Sequence, residues 1–352
     1  MLRGLSIPVA AVCVACIAAA SAGLPFADPI DTPAVASGHA SSVPMIAVDR
    51  AGERFVAVGL RGTVLLSDDQ GRHWRQATVP VSSDLVAVQF ATPREGWASG
   101  HDGVILHTSD AGLTWEKQLD GRRLQALLRA AYAKRAASGD AAARHVLGEI
   151  ERDYESGTQQ PLLALSFSDV RHGLAVGSFG IAVETQDGGA TWTSAMDRID
   201  NPELLHLFAI AGAGERVFIS SEKGTVFRLD PSSRRFVATS TGYQGSLFGL
   251  VADRDAVIAV GLRGQAYRST DGAATWHKLA TGVETGLNGA AVTPTRRILI
   301  ASQGGQLLAS DDRGQTFRVV PGVVPAPFAG VAAADGVAVV VGLNGVQAVD
   351  LR

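Results

Sequence analysis

Five aspartates stand in one recurring frame, and they are the first residues of this chain to invite a chemical reading. Asp69, Asp110, Asp187, Asp271 and Asp312 each follow a Ser or Thr by two positions and precede an aromatic, Trp74, Trp115, Trp192, Trp276 and Phe317, by five. Carboxylates do general acid–base chemistry when they converge on one reacting bond. The company these five keep points elsewhere. A hydroxyl and a carboxylate so placed hydrogen-bond the backbone of a tight turn. The glycine two residues after four of the aspartates supplies the positive φ that such a turn needs; Ala273 replaces it in the fourth copy. The aromatic then seals an apolar gap, at a truncation cost of roughly 3–5 kcal/mol. Five equivalent sites cannot share one substrate, so the frame reads as structural.

The elements that must carry these turns recur with them. Small-residue turns of the form G-x-x-G close at Gly62, Gly103, Gly180, Gly224, Gly264, Gly305 and Gly345, spaced 41, 77, 44, 40, 41 and 40 residues apart. A period of about 40 residues holding four short strands is the signature of a propeller blade. The second unit parses most clearly, into Leu85–Phe90, Gly96–Gly100, Val104–Thr108 and Thr114–Gln118. Inner strands are predicted at Leu162–Phe167, Leu204–Ile210, Leu247–Val251, Leu287–Val292 and Phe328–Ala332, all short, apolar and bounded by turn residues. The fold expected is all-β, a seven-bladed β-propeller over residues 44–352. The aspartate frame resembles the Asp-box, or bacterial neuraminidase repeat, S/T-x-D-x-G-x-T-W. Asp230–Phe236 is a degenerate copy with Pro231, and the last unit has none. That unit also lacks a fourth strand, which predicts that part of Asp31–Val43, within the N-terminal segment 23–43, closes the ring by supplying it.

The long interval between the second and third turns predicts a helical hairpin at residues 119–158. Leu124, Leu127, Leu128, Ala131 and Tyr132 fall on one helical face, as do Ala143, Val146, Leu147, Ile150 and Tyr154. Gly139 suits a C-cap and Asp140 an N-cap. The first helix is basic, with Arg122, Arg123, Arg129, Lys134 and Arg135, the second leans acidic, with Glu149, Glu151, Asp153 and Glu155, and the hairpin reads either as a partner-docking arm or lid or as a decorated loop whose charges pair within the chain. Connections from a fourth strand to the next inner strand share a face with the G-x-x-G turns. Arg61, Lys223 and Arg263 would form a partial basic patch on that face, suited to carboxylate or peptide-tail recognition. His101, Asp102 and Asn344 complete the candidate partner-binding set.

Composition bounds the remaining classes. A formal net charge of −3 gives no bulk attraction to nucleic acid. Residues 1–22 read as a signal peptide, with Arg3, an apolar run to Ala19 and the small residues Ala20-Ser21-Ala22, which predicts a periplasmic or secreted protein. Both cysteines, Cys13 and Cys16, lie in it, so the mature chain would carry no thiol. No metal-binding histidine spacing, nucleophile elbow or cofactor motif emerges. Phe317-Arg318-Val319-Val320-Pro321 is only faintly similar to the F-R-I-P motif of sialidases.

Across residues 44–352 the chain resembles the photosystem II stability/assembly factor-like propellers. The resemblance rests on the G-x-R-G turns at Gly59–Gly62 and Gly261–Gly264, the strand Gly96-Trp97-Ala98-Ser99-Gly100 and the five boxes. It implies an exported, non-catalytic assembly or accessory factor for a membrane protein complex, with an envelope transporter as one candidate client, peripheral to the membrane at most and needing no cofactor. Of the family's basic turns only Arg61, Lys223 and Arg263 match; His101, Phe179, Gly304 and Asn344 depart. The alternatives are a sialidase-like or other glycoside hydrolase, which needs paired carboxylates in a central cleft, and a carbohydrate- or peptide-binding module.

Overall fold

A computed structural model describes residues 27–155, 157 and 160–352, and the expected signal peptide with its two cysteines lies outside them. The described residues form seven antiparallel sheets, six of four strands and one of three, each running in simple up-and-down order. Inner strands of successive blades pack side by side, and the last of them, Phe328–Ala334, packs on the first, Met45–Ala51, closing a seven-bladed propeller. Every inner strand breaks register near its start, at Met45/Ala47 in blade 1 and at the equivalent pair in the six others. These bulges sharpen the local twist where the strands converge on the axis.

Small residues let the inner strands meet. A Cβ on Gly289 of blade 6 would lie 2.8 Å from the Gly330 Cα of blade 7. Gly289→Val forces those two blades apart; we expect it to lower the unfolding free energy by about 2 kcal/mol, as overpacking does, measured by denaturant titration.

The boxes join each blade to the one before it. In blade 2 the Thr108 hydroxyl donates to Asp110 Oδ1 (2.8 Å) and accepts from the Gly112 amide (3.0 Å). The Thr114 amide and hydroxyl donate to the two oxygens of Asp110 (2.9 and 2.6 Å), and Trp115 Nε1 donates to the Gly112 carbonyl (3.0 Å). So folded, the turn lays Gly112 against Val56 and Leu66 of blade 1. Gly71 lies likewise against Val339 and Ala348 of blade 7, Gly189 against Gln118 of blade 2 and Gly314 against Ile258 of blade 5. Ala273 is buried among Phe218 and Val226 of blade 4. Blade 4 alone among the six four-stranded blades lacks the device. Its strand pairing runs on to Asp230 and Arg235, and Asp230 binds Ser232 and Ser233 within the hairpin, with Pro231 where the box has its aspartate.

Two expectations are corrected. Asp31–Val43 supplies no strand, and the sheet of blade 7 stays three-stranded. The segment instead makes short 3₁₀ turns at Pro29–Asp31 and Ala40–Ser42. Pro29 and Pro33 lack the amide donors a strand would need, and Ile30 (1% exposed) is buried between blades 1 and 2. The Ala34 amide donates to the Val79 carbonyl (3.1 Å), and the Gln76 amide side chain holds Val35 and Ser37. The Ala40–Ser42 turn of that segment packs on the outer strand of blade 7, Gly345–Asp350, and the blade 1 box rests on Ala348 of the same strand as the other boxes rest on the blades before them. The inner strand of blade 4 runs over Leu207–Ala213 rather than from Leu204, because Leu204 takes φ 50° in a loop closed by Asn201, whose side chain pairs with the Leu205 backbone.

The helical hairpin stands between blades 2 and 3 as expected, α1 over Gly121–Ala137 and α2 over Ala141–Asp153. Asp120 and Asp140 cap them by accepting from Arg123 and Ala143 amides (3.1 and 3.0 Å). Gly139 takes φ 98° between them. Leu124, Leu128 and Tyr132 of α1 are buried in one core with Trp97, Phe167 and Trp192 of blades 2 and 3. No described helix is long and apolar enough to cross a membrane.

Candidate functional site

The turns between second and third strands are built alike, and their sequence follows from their geometry. The amide after the first glycine donates to the carbonyl just before the inner strand, as Leu60 does to Pro44 (3.2 Å) and His101 to Asp84 (2.9 Å). That carbonyl passes so close that a Cβ on Gly59 or Gly100 would sit 2.4 or 2.0 Å from it, which favours glycine there; blades 4 and 6 carry the small residues Ser221 and Ser302 instead. The residue before the closing glycine is then forced left-handed: Arg61 (φ 54°), Asp102 (57°), Phe179 (55°), Lys223 (52°) and Arg263 (56°). A non-glycine residue there costs about 1 kcal/mol or more. Five blades accept that strain and present a long or charged side chain at the same corner of the rim.

The sequence-predicted residues divide clearly. Arg61 and Arg263 are exposed, and their guanidinium groups meet no partner among the described residues; the Arg61 amide donates to Asp84 (2.7 Å). They stand on blades 1 and 5, with the turns of blades 6 and 7 between them, so they flank a sector rather than form one patch. His101 and Asn344 are exposed on their turns. Asp102 accepts from the Ser83 hydroxyl (2.7 Å), and Lys223 is paired with Glu203. The basic helix keeps little free charge. Arg122 binds Asp28 and Asp31 (2.6 and 2.7 Å), Arg129 binds Glu151 (3.1 Å), and Arg135 binds Asp140 and Asp197 (2.9 and 2.5 Å) while lying over the Tyr132 ring. Arg123 donates to the Gln118 carbonyl (3.2 Å). Lys134 alone of the five is exposed without an ion-pair or hydrogen-bond partner among the described residues. These charges pin α1 to the N-terminal segment, to α2 and to blade 3.

Sequence reasoning missed an aromatic series that descends from this rim into the axis. Phe179, at the corner of blade 3 and 37% exposed, lies 4.7 Å from the His206 ring; His206 is 6.3 Å from Phe208, and Phe208 is 5.1 Å from Phe248, centroid to centroid. His206 Nδ1 accepts from the Phe179 amide (3.2 Å), and the His206 amide donates to Glu222 (2.9 Å). Phe208 and Phe248 are the second residues of their inner strands, where the other blades carry Ile46, Val86, Leu163, Asn288 and Ala329. Aligning the seven inner strands would have exposed the pair. Together these positions line a central channel of about 450 Å³ whose walls are Ala, Gly, Val, Leu, Ile and Phe. Asn288 is the one polar side chain among its lining residues, and none is acidic. A glycosidase needs two carboxylates about 5–9.5 Å apart flanking the scissile bond; this channel offers an apolar bore instead.

The box aspartates are committed to their turns. The hydroxyl and amide of Thr191 hold Asp187 down at about 2, and those of Thr275 and Thr316 hold Asp271 and Asp312 below the usual carboxylate range. The His73 amide and ring do the same for Asp69. For Asp110 burial pulls upward, but the bonds from Thr114 outweigh it. Carboxylates so stabilised in the ionised form are poor proton donors near neutrality.

Comparison with known proteins places these features in a family context. A family model described as "Photosynthesis system II assembly factor YCF48" matches residues 39–128. The photosystem II assembly lipoprotein Ycf48 of Synechococcus sp. strain CC9902 is 28% identical over 35% of this chain and 38% of its own length. The photosystem II assembly protein Ycf48 of Synechococcus sp. strain JA-2-3B'a(2-13) is 29% identical over 46% of this chain and 51% of its own. The matches thus span about half or less of these relatives. Among solved structures, "YCF48 bound to D1 peptide" superposes with a TM-score of 0.64 at 16% identity, covering 90% of this chain and 96% of the other. The WD40 propeller domain of Doa1 gives 0.62 at 14%, covering 92% and 96%. These two show the propeller fold. Over the matched residues the sequence is similar to photosystem II assembly factors, and both relatives are named as such.

Proposed function

We propose that this photosystem II assembly factor-like propeller is an exported, non-catalytic factor that holds a segment of a membrane protein subunit while its complex assembles. The observation that carries the reading is the repeated strain at the rim. Five blades keep Arg61, Asp102, Phe179, Lys223 and Arg263 left-handed where glycine would cost less, and all five present long or charged side chains on one face, which supports reading that face as a working surface. Arg61 and Arg263 supply unpaired donors for carboxylates or backbone carbonyls of a client. Phe179 and the rings below it supply an apolar seat leading into the channel. A relative of the same fold is described as bound to a D1 peptide, which fits a face that grips polypeptide. A membrane subunit is the client we favour; the relatives lend no support to an envelope transporter in particular. Export to the periplasmic side rests on the N-terminal apolar run, and the lipoprotein description of one relative agrees with an envelope location.

Glycine at the rim separates binding from folding. Phe179→Gly and Arg263→Gly remove the left-handed strain, so we expect the melting temperature to hold or rise, by the equivalent of up to about 1 kcal/mol. The same variants should lose the client by about tenfold or more, read as the yield of membrane protein cross-linked to a photoreactive group at position 343 in intact cells. Undiminished cross-linking in both variants, or recovery of soluble proteins only, would exclude this face as the client site.

A further inference from the structure

We propose a second peptide-binding site, on the opposite face, in the cleft between blades 3 and 4; it is independent of the rim. The cleft encloses about 470 Å³. It opens because blade 4 lacks a box. In the five boxed blades a turn folds back and covers the gap to the preceding blade, with Gly71, Gly112, Gly189, Ala273 or Gly314 against that neighbour. The straight hairpin at Asp230–Arg235 lines the cleft without filling it, and Leu174, Ile210, Val217 and Leu229 remain only partly buried beside Phe167 and Phe236. Apolar side chains of the core are thereby left lining an open cavity.

Its occupant follows from what fills the sibling gaps and from the charge at the mouth. In the five boxed gaps a turn supplies an aromatic ring and an aspartate together; here Phe236 keeps the aromatic's position as a wall of the cavity, and Pro231 stands in the aspartate's place. Here the mouth carries two arginines. Arg198 pairs with Glu184, donates from Nε to the Arg234 carbonyl (3.2 Å) and lies 5.9 Å over the Phe236 ring. Arg234 is held left-handed (φ 58°) at the hairpin tip, and its guanidinium has no partner among the described residues. A planar donor fork beside an apolar cavity selects an apolar body with a carboxylate next to it. We assign the site to an extended segment of a partner protein in which a bulky aromatic residue is followed by Asp or Glu: the ring enters between Phe167 and Leu229, and the carboxylate meets Arg234.

The test uses the full chain and a fluorescein-labelled hexapeptide, Gly-Gly-Trp-Asp-Gly-Gly, followed by fluorescence anisotropy. Saturable binding is expected, weakened about tenfold or more by Arg234→Glu and to the same extent by Asn in place of the peptide's Asp. Leu229→Trp, which fills the cleft, should abolish binding while Arg234→Glu, on an exposed turn, controls for any folding defect. Phe179→Gly should change nothing here, so failure of the rim proposal and failure of this one are distinguishable. Absence of saturation up to millimolar protein, or affinity indifferent to Arg234→Glu, would overturn the site. Equal or tighter competition by free indole-3-acetate would overturn the peptide assignment in favour of a small aromatic acid.

Discussion

Trp97→Ala lowers the stability of this propeller by roughly 4 kcal/mol, at the upper end for a buried aromatic. The indole is 1% exposed and stacks on Phe167 of blade 3, with centroids 3.6 Å apart and planes 8° from parallel. His107 lies against it at 4.9 Å, itself held by Glu95 (2.8 Å) and Glu116 (3.0 Å). Trp97 Nε1 donates to Gln118 (3.2 Å) and across the blade boundary to the Gly188 carbonyl (3.3 Å). The substitution therefore removes stacking, burial and a polar tie at one interface, and leaves the Gly188 carbonyl with the Gln118 amide as its remaining donor. The interface matters more than its siblings because the helical hairpin interrupts the chain between these two blades, so packing must hold what a short connection holds elsewhere. Urea unfolding should show the midpoint fall sharply, with Trp97→Phe recovering part of the loss through the retained stack on Phe167. A loss under 1 kcal/mol would mean that the blade 2–3 interface is carried by the hairpin instead.

Much of this fold is legible in the sequence because a propeller repeats its physics. A carbonyl passing within van der Waals reach favours a small residue at Gly59, and a left-handed backbone demands glycine at Gly62; the second demand recurs in all seven turns, every 40 residues or so outside the helical insertion, which turns local chemistry into a global count of blades. The helical hairpin was equally plain, since Leu124, Leu128, Ile150 and Tyr154 keep helical spacing in a chain otherwise alternating as strands. What was not legible depended on partners distant in sequence. Of the two readings of the basic stripe on α1, pairing within the chain holds for Arg122, Arg129 and Arg135, but their partners Asp28, Asp31, Glu151 and Asp197 come from three other elements and cannot be matched to them from spacing alone. The ring closure differs for a related reason: an absent strand suggests a donated strand, whereas the N-terminal segment meets the outer strand of blade 7 through the short turn Ala40–Ser42. The site was half visible. Arg61 and Arg263 could be read from their turns, but the descent from Phe179 through His206 to Phe248 joins three blades and has no signature in any one of them.

A second large effect concerns pH, and its sign depends on two opposing sets of aspartates. Asp49, on the inner strand of blade 1, accepts from the Phe90 amide of blade 2 (2.7 Å), and burial pushes its carboxyl up to about 6 against that bond and the nearby Arg50 charge. Gln89 occupies the same place in blade 2; its amide accepts from the Phe167 amide (2.5 Å) and also donates to the Phe167 carbonyl (3.2 Å). An ionised Asp49 can do only the first of these, and a protonated one has a hydrogen to offer for the second. Because its folded-state value lies above the unfolded one, Asp49 favours the native state fully below about pH 4 and loses that contribution as pH rises through 6. The box aspartates behave oppositely: their lowered values stabilise the fold above about pH 4, and the benefit disappears as pH falls toward 2. The wild-type protein should therefore be most stable in the mildly acidic range between these limits. Asp49→Asn supplies the missing donor without the charge, so it should match the wild type near pH 4 and exceed it by on the order of 2 kcal/mol at pH 7.5. Paired thermal melts at the two pH values check this. A variant that gains nothing at pH 7.5, or gains equally at both, would show that Asp49 stays ionised in the folded ring and that the inter-blade bond is satisfied by the carboxylate alone.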